Sequence, residues 1–389
     1  MMNFRSLHLA AMLLGLLSAW EAGAAVVLTV PATLSKALVT TPCGDTLSLA
    51  AGGGYGDAQI RRLCPADKPL TLTSADPANH AVLRSVSVYA SSGISLDLFD
   101  VSMAPTALTL SNTPAVGIRE SSHVSATRLK IASGPAVSGV LPTAAAQDKT
   151  GNVIGFPTGY GVFVYLSDHV TVASNHVSQV DRGIVLSSAS DTVVDFNDIG
   201  FTRRTSIIGS VRDNVAITRN HTHDINPWSW GVVGTWSDHA DHALVWVDAA
   251  QTVPSAGLVI SGNLMEQGKG TAVSGIEVQS NARHVGFLAP QVTNNVLYNG
   301  QGLGLFIEDS TDGQIGGNVL IQSSGSAPLI RIQTGTKRFS ITGNTVSLIS
   351  DVSGSTGADA NLQSGNDDTL TGVQPASVAR LARRLVVVP

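Results

Sequence analysis

An asparagine signature recurs along the carboxyl-terminal part of the chain and constrains the fold more tightly than any other feature. The pattern is apolar, two spacers, Asn, one spacer, then an apolar or small residue. It reads Val172/Asn175/Val177, Val194/Asn197/Ile199, Ile217/Asn220/Thr222, Ile260/Asn263/Met265, Val292/Asn295/Leu297, Ile315/Asn318/Leu320 and Ile341/Asn344/Val346. Successive asparagines lie 22, 23, 43, 32, 23 and 26 residues apart. A period near that length marks a stack of like units. Each unit carries a second short, β-branched run, such as Gly183–Leu186, Ser206–Ile208, Ala243–Val247, Gly275–Val278, Leu305–Ile307 and Leu329–Ile332. With 39 Gly, 5% aromatics and no helical period between residues 90 and 350, helices are disfavoured.

Such a unit cannot bury its own apolar face, so the units must stack as coils, each advancing one strand spacing of about 4.8 Å. The expected fold is all-β, a single parallel β-helix with an Asn ladder and an N-terminal cap. Asn is expected to supply the left-handed backbone of a sharp turn and to hydrogen-bond the amide one coil above. Leu129 and Phe99 hold the ladder position in earlier coils, and Leu141 to Thr158 reads as a loop insertion.

The ends read differently. Arg5, the apolar run Leu7 to Trp20 and the small residues Ala22-Gly23-Ala24-Ala25 predict a secretory signal over residues 1–24, cleaved after Ala24. The β-helix is expected over 25–375, with 376–389 as a cap or tail. No later segment approaches about 18 consecutive apolar residues, so no membrane span is expected in the mature chain. Secretion or a periplasmic location follows. Cys43 and Cys64, the only cysteines, are then expected to pair. No Cys or His stands at ligand spacing beside them, which argues against zinc there. The net charge of −5 leaves no basic surplus for a phosphate backbone, so nucleic acid is not an expected partner. A monomer acting on an acidic polysaccharide is expected.

These repeats resemble the right-handed parallel β-helix of the pectate-lyase-like superfamily, over about residues 30 to 350. The run Cys43-Gly-Asp-Thr-Leu-Ser-Leu-Ala-Ala-Gly-Gly-Gly-Tyr-Gly-Asp57 resembles that superfamily's "GDTI…LAPGTY" first coil. The resemblance implies the fold and says little about chemistry. Gly365 to Gly372 resembles one degenerate calcium-binding nonapeptide repeat, and a single copy carries little.

The chemistry is expected in the coil that breaks the period. The 43-residue interval holds Asn220-His221-Thr222-His223-Asp224 and Trp236-Ser237-Asp238-His239-Ala240-Asp241-His242. Four of the ten His and four of the five Trp fall between residues 221 and 246. Trp228, Trp230, Trp236 and Trp246 suit stacking on sugar rings. Alternation turns Ile217, Thr222 and Ile225 inward, as Val172, Val177 and Val180 are two coils earlier, and His221 and His223 outward. One outward column should read Ser178, Gly200, His223, Glu266 and Tyr298. On the other strand Val247, Val278, Ile307 and Ile332 read as inward. The outward columns there should be Trp246/Glu277/Phe306/Arg331 and Asp248/Gln279/Glu308/Gln333.

Removing the proton beside a uronic-acid carboxylate needs a base and a group that neutralises the carboxylate. His239 or His242 is the expected base, with Asp238 or Asp241 orienting the imidazole. Arg331 would face the carboxylate. Tyr298 or a second His, such as His223, would protonate the leaving oxygen. His221, Glu266 and Glu277 complete the substrate-binding set. Asp238-His239-Ala240-Asp241 resembles an Asp-His-x-Asp pattern of secreted bacterial β-helix proteins. It is distantly similar to the Asp-Pro-His-Asp signature of mannuronan C5-epimerases, with His and its neighbour exchanged. Arg331-Ile332-Gln333 echoes the Arg-Ile-Lys run of polygalacturonase-type hydrolases without its Lys. The expected function is therefore a polysaccharide lyase or C5-epimerase acting on a uronic-acid polymer. The alternatives are a glycoside hydrolase using Asp241 and Glu277, and a non-catalytic glycan-binding solenoid. No cofactor is called for; calcium is the ion considered, and Asp248 and Glu308 are separated by a Gln-bearing coil.

Overall fold

The structure is a computed structural model that describes residues 26–103, 112–133, 146–147, 153–154, 157–227, 238–369 and 372. The expected signal over 1–24 and the tail 376–389 lie outside these residues. Among them, 31 strands join one continuous sheet, and its pairings are parallel.

One coil shows the plan. Tyr160–Tyr165 is a strand on a first face, Asp168–Ala173 lies on a second, and His176–Ser178 follows Asn175 on a third. In the next coil Ile184 stands beside Val162, Val194 beside Val172 and Ile199 beside Val177. The pleat sends alternate side chains inward, so Val162, Val164, Val172, Val177, Ile217 and Thr222 are all fully buried. The apolar ones among them belong to one core that runs the length of the coils. The Leu141–Thr158 insertion is described at two places, where Ala146–Gln147 pairs antiparallel with Val153–Ile154.

The ladder runs from Asn175 through 197, 220, 263, 295, 318 and 344 to Asn366. Each Nδ2 donates to the next Oδ1 at 2.8–3.0 Å. The same Nδ2 also donates to a carbonyl one coil back, as Asn220 does to Val194 at 2.9 Å. Buried amides are thereby satisfied on both sides. One expectation is corrected. The left-handed backbone falls on the residue before the Asn, with φ of +56° at Ser174, +54° at Phe196, +53° at Arg219 and +66° at Gly262. That residue turns the chain while the Asn keeps its amide inside. Asn366, the last rung, lies within the segment that resembles a calcium-binding repeat, and its amide is spent on Asn344 and on the Ile341 carbonyl.

The helix Leu34–Thr40 caps the first coils by burying Leu34 and Leu38 in the core. Arg62 donates to the carbonyls of Leu38 and Thr41 at its C-terminal end. Cys43 and Cys64 form a disulfide with Cα atoms 5.4 Å apart. Closing a loop of that length is worth about 3 kcal/mol. The Cys43→Ala/Cys64→Ala variant should lose about that much in denaturant titration, and an unchanged midpoint would show that the cap does not depend on the bridge. No helix among the described residues is long and apolar enough to cross a membrane.

Candidate active site

The 43-residue interval is a single coil, because Asn220 donates directly to Asn263. Its extra length leaves the third face after His223 and re-enters the first face at Asp241. Ile225, Ala240 and Val273 form a small apolar cluster that holds its two ends together. Arg203, only 2% exposed, grips Asp238 through two 2.7 Å hydrogen bonds. Beside it, fully buried Asp181 pairs with Arg204. Asp238 therefore anchors the loop, which corrects its expected role of orienting an imidazole.

At the re-entry point three groups converge. Asp241 is fully buried and its Oδ2 accepts from Thr205 Oγ1 at 3.0 Å. The His239 Nδ1 lies 3.3 Å from the same oxygen, and the rest of the ring is 67% exposed. Glu277, 3% exposed, stands one coil along and takes a 2.7 Å hydrogen bond from Gln279. Burial, and then the Asp241 charge, push the Glu277 carboxyl up to about 7. It therefore holds its proton far above the ordinary carboxylate range, beside Asp241, whose buried Oδ1 meets no donor among the described residues. The Asp241 hydrogen bond outweighs partial burial and raises the His239 imidazole above its usual value. The result is an exposed imidazole standing on a buried carboxyl–carboxylate pair.

A groove runs along the first face, and the strand Asp241–Val247 contributes Trp246 to it. A cavity of about 550 Å³ is lined by Arg119, Tyr160, Phe163, Tyr165, Arg182 and Trp246, among others. A second, of about 370 Å³, continues it past Arg61 and Tyr89 and shares Arg119 and Tyr165. The outward column runs Tyr89, Arg119, Tyr165, Ser187, Ser210, Trp246, Gln279 in register. Five steps from Arg119 to Gln279 span roughly 24 Å. Arginines lie over rings throughout: Arg61 over Tyr89 at 4.8 Å, Arg119 over Phe163 at 5.2 Å and Arg182 over Tyr160 at 5.7 Å. Burial, reinforced by the nearby Arg204 charge, lowers the Arg182 pKa, and its buried Nε has no hydrogen-bond partner among the described residues.

The other predicted residues fall elsewhere. On the third face the register Ser178–Gly200–His223–Glu266–Tyr298 is as read from the sequence. There His221 and His223 stack with ring centroids 4.5 Å apart and are partly buried among carboxylates. Burial opposes protonation of His221, but Asp198 and Glu266 outweigh it and raise the imidazole to about 9. Tyr298 packs half-buried against Leu264, Val296 and Ile321, one coil beyond Glu266. On the first face Glu277, Phe306 and Arg331 share a column, but Trp246 does not join it. Trp246 pairs with Gln279, and Leu244 with Glu277, a two-residue shift that keeps every side chain on its expected face. Arg331 is exposed two coils past Glu277.

His242 is fully buried, with Nδ1 2.8 Å from Thr222 Oγ1, so it faces the interior and cannot meet a polymer. Burial, with the His221 and His223 charges, lowers its pKa to about 3. That corrects its expected role as a base. Trp228, Trp230 and Trp236 lie outside the described residues.

Residues 160–346 match the family described as the right-handed beta helix region. The described residues form a parallel β-helix, and over 160–346 it matches the right-handed kind. No curated protein matches it. Among solved structures it is similar to an alginate lyase from Paenibacillus sp. str. FPU-7, at 14% identity and a TM-score of 0.46, covering 80% of this chain and 98% of that one. It is also similar to a mannuronic-acid-specific polysaccharide family 6 lyase from human gut microbiota, at 11% identity, TM-score 0.44, covering 93% and 95%. A third is PfbA, a surface adhesin of Streptococcus pneumoniae, at 10% identity, TM-score 0.43, covering 82% and 84%. Likeness at this level leaves the chemistry to be argued from the β-helix's own side chains.

Several of those side chains were not singled out from the sequence. Reading the position one after each ladder Asn gives His176, Asp198 and His221, a polar column available from spacing alone. Arg182, Tyr160 and Arg203 carried no such signal, because the β-helix brings them to the site from coils preceding the insertion.

Proposed function

We propose that this β-helix is a carbohydrate-active enzyme that binds an acidic polysaccharide along its first face and removes the C5 proton of a uronic-acid residue. Elimination or epimerisation then follows. The observation that carries the reading is the exposed His239 imidazole on the buried Asp241–Glu277 pair, on the same face as a groove of arginines stacked on aromatic rings. In this reading His239 takes the proton and Asp241 holds its tautomer. Glu277, neutral near pH 7 and buried, acts on Asp241 rather than on the sugar, and so supports the carboxylate beneath the imidazole. Hydrolysis by Asp241 and Glu277 is disfavoured on geometry. Both are buried, with carboxylate oxygens within 4.8 Å of each other. A retaining pair stands about 5–5.5 Å apart, an inverting pair farther, with the sugar between them.

The test is incubation with alginate, pectate, glucuronan and bacterial exopolysaccharides. Elimination produces an unsaturated, ultraviolet-absorbing sugar, and epimerisation exchanges the C5 proton with solvent deuterium. New reducing ends without absorbance would replace this reading with hydrolysis. Binding without any turnover would replace it with a glycan-binding solenoid.

Arg182 supplies a separate prediction. Its guanidinium lies beside Arg204 and its buried Nε meets no partner among the described residues, so a polymer carboxylate is its natural counter-ion. Arg182→Met should weaken polymer binding about 10–100-fold, the worth of one charge-assisted hydrogen bond, with Tm unchanged or higher. A fall in Tm with unaltered KM would show that the guanidinium serves the fold instead.

A further inference from the structure

We infer that the third face carries a binding site for a divalent first-row transition metal of the zinc class, with Asp198, His221 and His223 as ligands. This site does not depend on the proposed reaction. The three residues come from neighbouring coils, with Asp198 beside His221 and Gly200 beside His223 in register.

The nitrogen atoms are already aimed. Asp198 Oδ1 lies 3.0 Å from His221 Nδ1 and 3.2 Å from His223 Nε2. Ligands at about 2.0–2.1 Å around one ion are separated by about 3.0–3.4 Å along the edges of its coordination polyhedron. The observed separations therefore match two edges that meet at the carboxylate oxygen. All three donor atoms lie within 4.8 Å of one another.

The far side of each ring is also built. His221 Nε2 meets Glu266 Oε2 at 3.0 Å, and His223 Nδ1 meets Asp224 Oδ2 at 2.6 Å. A carboxylate on the non-ligating nitrogen fixes the tautomer and turns the other nitrogen to the metal, as metal-bound imidazoles require. Asp224 is itself held, in a left-handed conformation with φ +54°, by the Lys269 N–H. A Cβ at Gly200 would stand 2.3 Å from the His223 ring and one at Gly268 2.4 Å from Asp224 Oδ1, so both glycines leave room for this arrangement. Asp198 keeps 42% of its side chain exposed, which leaves an entry path and open positions for water. His176 Nδ1 reaches the other Asp198 oxygen at 2.9 Å. Two imidazoles favour zinc-class ions over calcium, which takes oxygen ligands.

The test uses the untagged full chain, stripped with chelator, reloaded with Zn²⁺ and passed through gel filtration. One equivalent of zinc should be retained. Asp198→Asn and His223→Ala should each lose it, and Glu266→Gln should weaken it about 10–100-fold. His169→Ala, in another His–Asp cluster, should retain it. Independently of any variant, Co²⁺ should give paramagnetically shifted ring-proton resonances assigned to His221 and His223. Absence of retained zinc in the wild type, zinc that survives both ligand substitutions, or shifted resonances assigned to His169 or His239 would each overturn the site.

Discussion

His239→Ala and Asp241→Asn should each lower turnover of a uronic-acid polymer by about 10²–10⁴-fold, the usual worth of a positioned base. The reason is geometric. The imidazole is the exposed member of the cluster, and Asp241 Oδ2 is the acceptor held against its Nδ1. Because that contact raises the His239 pKa, activity should climb with pH through a value above 6.5 as the free base forms. Glu277→Gln separates the proton from the shape. It keeps a neutral hydrogen-bond donor beside Asp241 but cannot release a proton. Turnover should fall while KM holds, and the limb near pH 7 should disappear. Stability should move the other way. A carboxyl whose folded pKa is raised stabilises the fold below about 4.5, and this contribution is lost as pH rises through about 7. Glu277→Gln should therefore be more stable than the wild type above neutrality. Full activity in both His239→Ala and Asp241→Asn would remove the cluster from the mechanism.

Acid should unfold the protein through His242. Its folded pKa of about 3 lies below the ordinary 6.5, so the unfolded chain binds a proton that the folded chain refuses. Stability is complete above 6.5 and falls as the pH drops toward 3, by roughly 5 kcal/mol in total. Neighbouring charges act in other windows. With no metal bound, His221, raised to about 9, adds stability below 6.5 that fades as pH rises through 9. His242→Gln keeps a polar partner for Thr222 and removes the titration. Denaturant midpoints measured from pH 7.5 to 4.5 should fall steeply in the wild type and much less in the variant. Parallel curves would mean that the ring accepts its proton without leaving the core.

Much of this architecture was readable from spacing. Asparagines 22 or 23 residues apart mark coils because a ladder rung can form only when like residues return to the same corner. Inward positions such as Ile217 and Val278 followed from alternation, which the pleat enforces. The third-face column was legible because its strands lie a constant distance from the Asn. The first-face column slipped by two residues at Trp246 because the insertion separates that strand from its ladder Asn. His242, named as a base from its place in the histidine cluster, lies in the core instead. Thr222, inward on the third face, meets its ring in the core.

The sequence by itself determined the repeat, the ladder, the disulfide pairing and the coil in which the period breaks. These depend on local period and on pairs of like residues one coil apart. Only the tertiary structure decided which of the clustered histidines faces solvent and which faces the core. It also joined Arg182, Tyr160 and Trp246 into one groove, and aimed His221 and His223 at Asp198. The physical reason is that a solenoid's outer surface is assembled across coils. Residues more than 20 positions apart in the chain become neighbours about 4.8 Å apart, and their mutual orientation is set by register and by loop length.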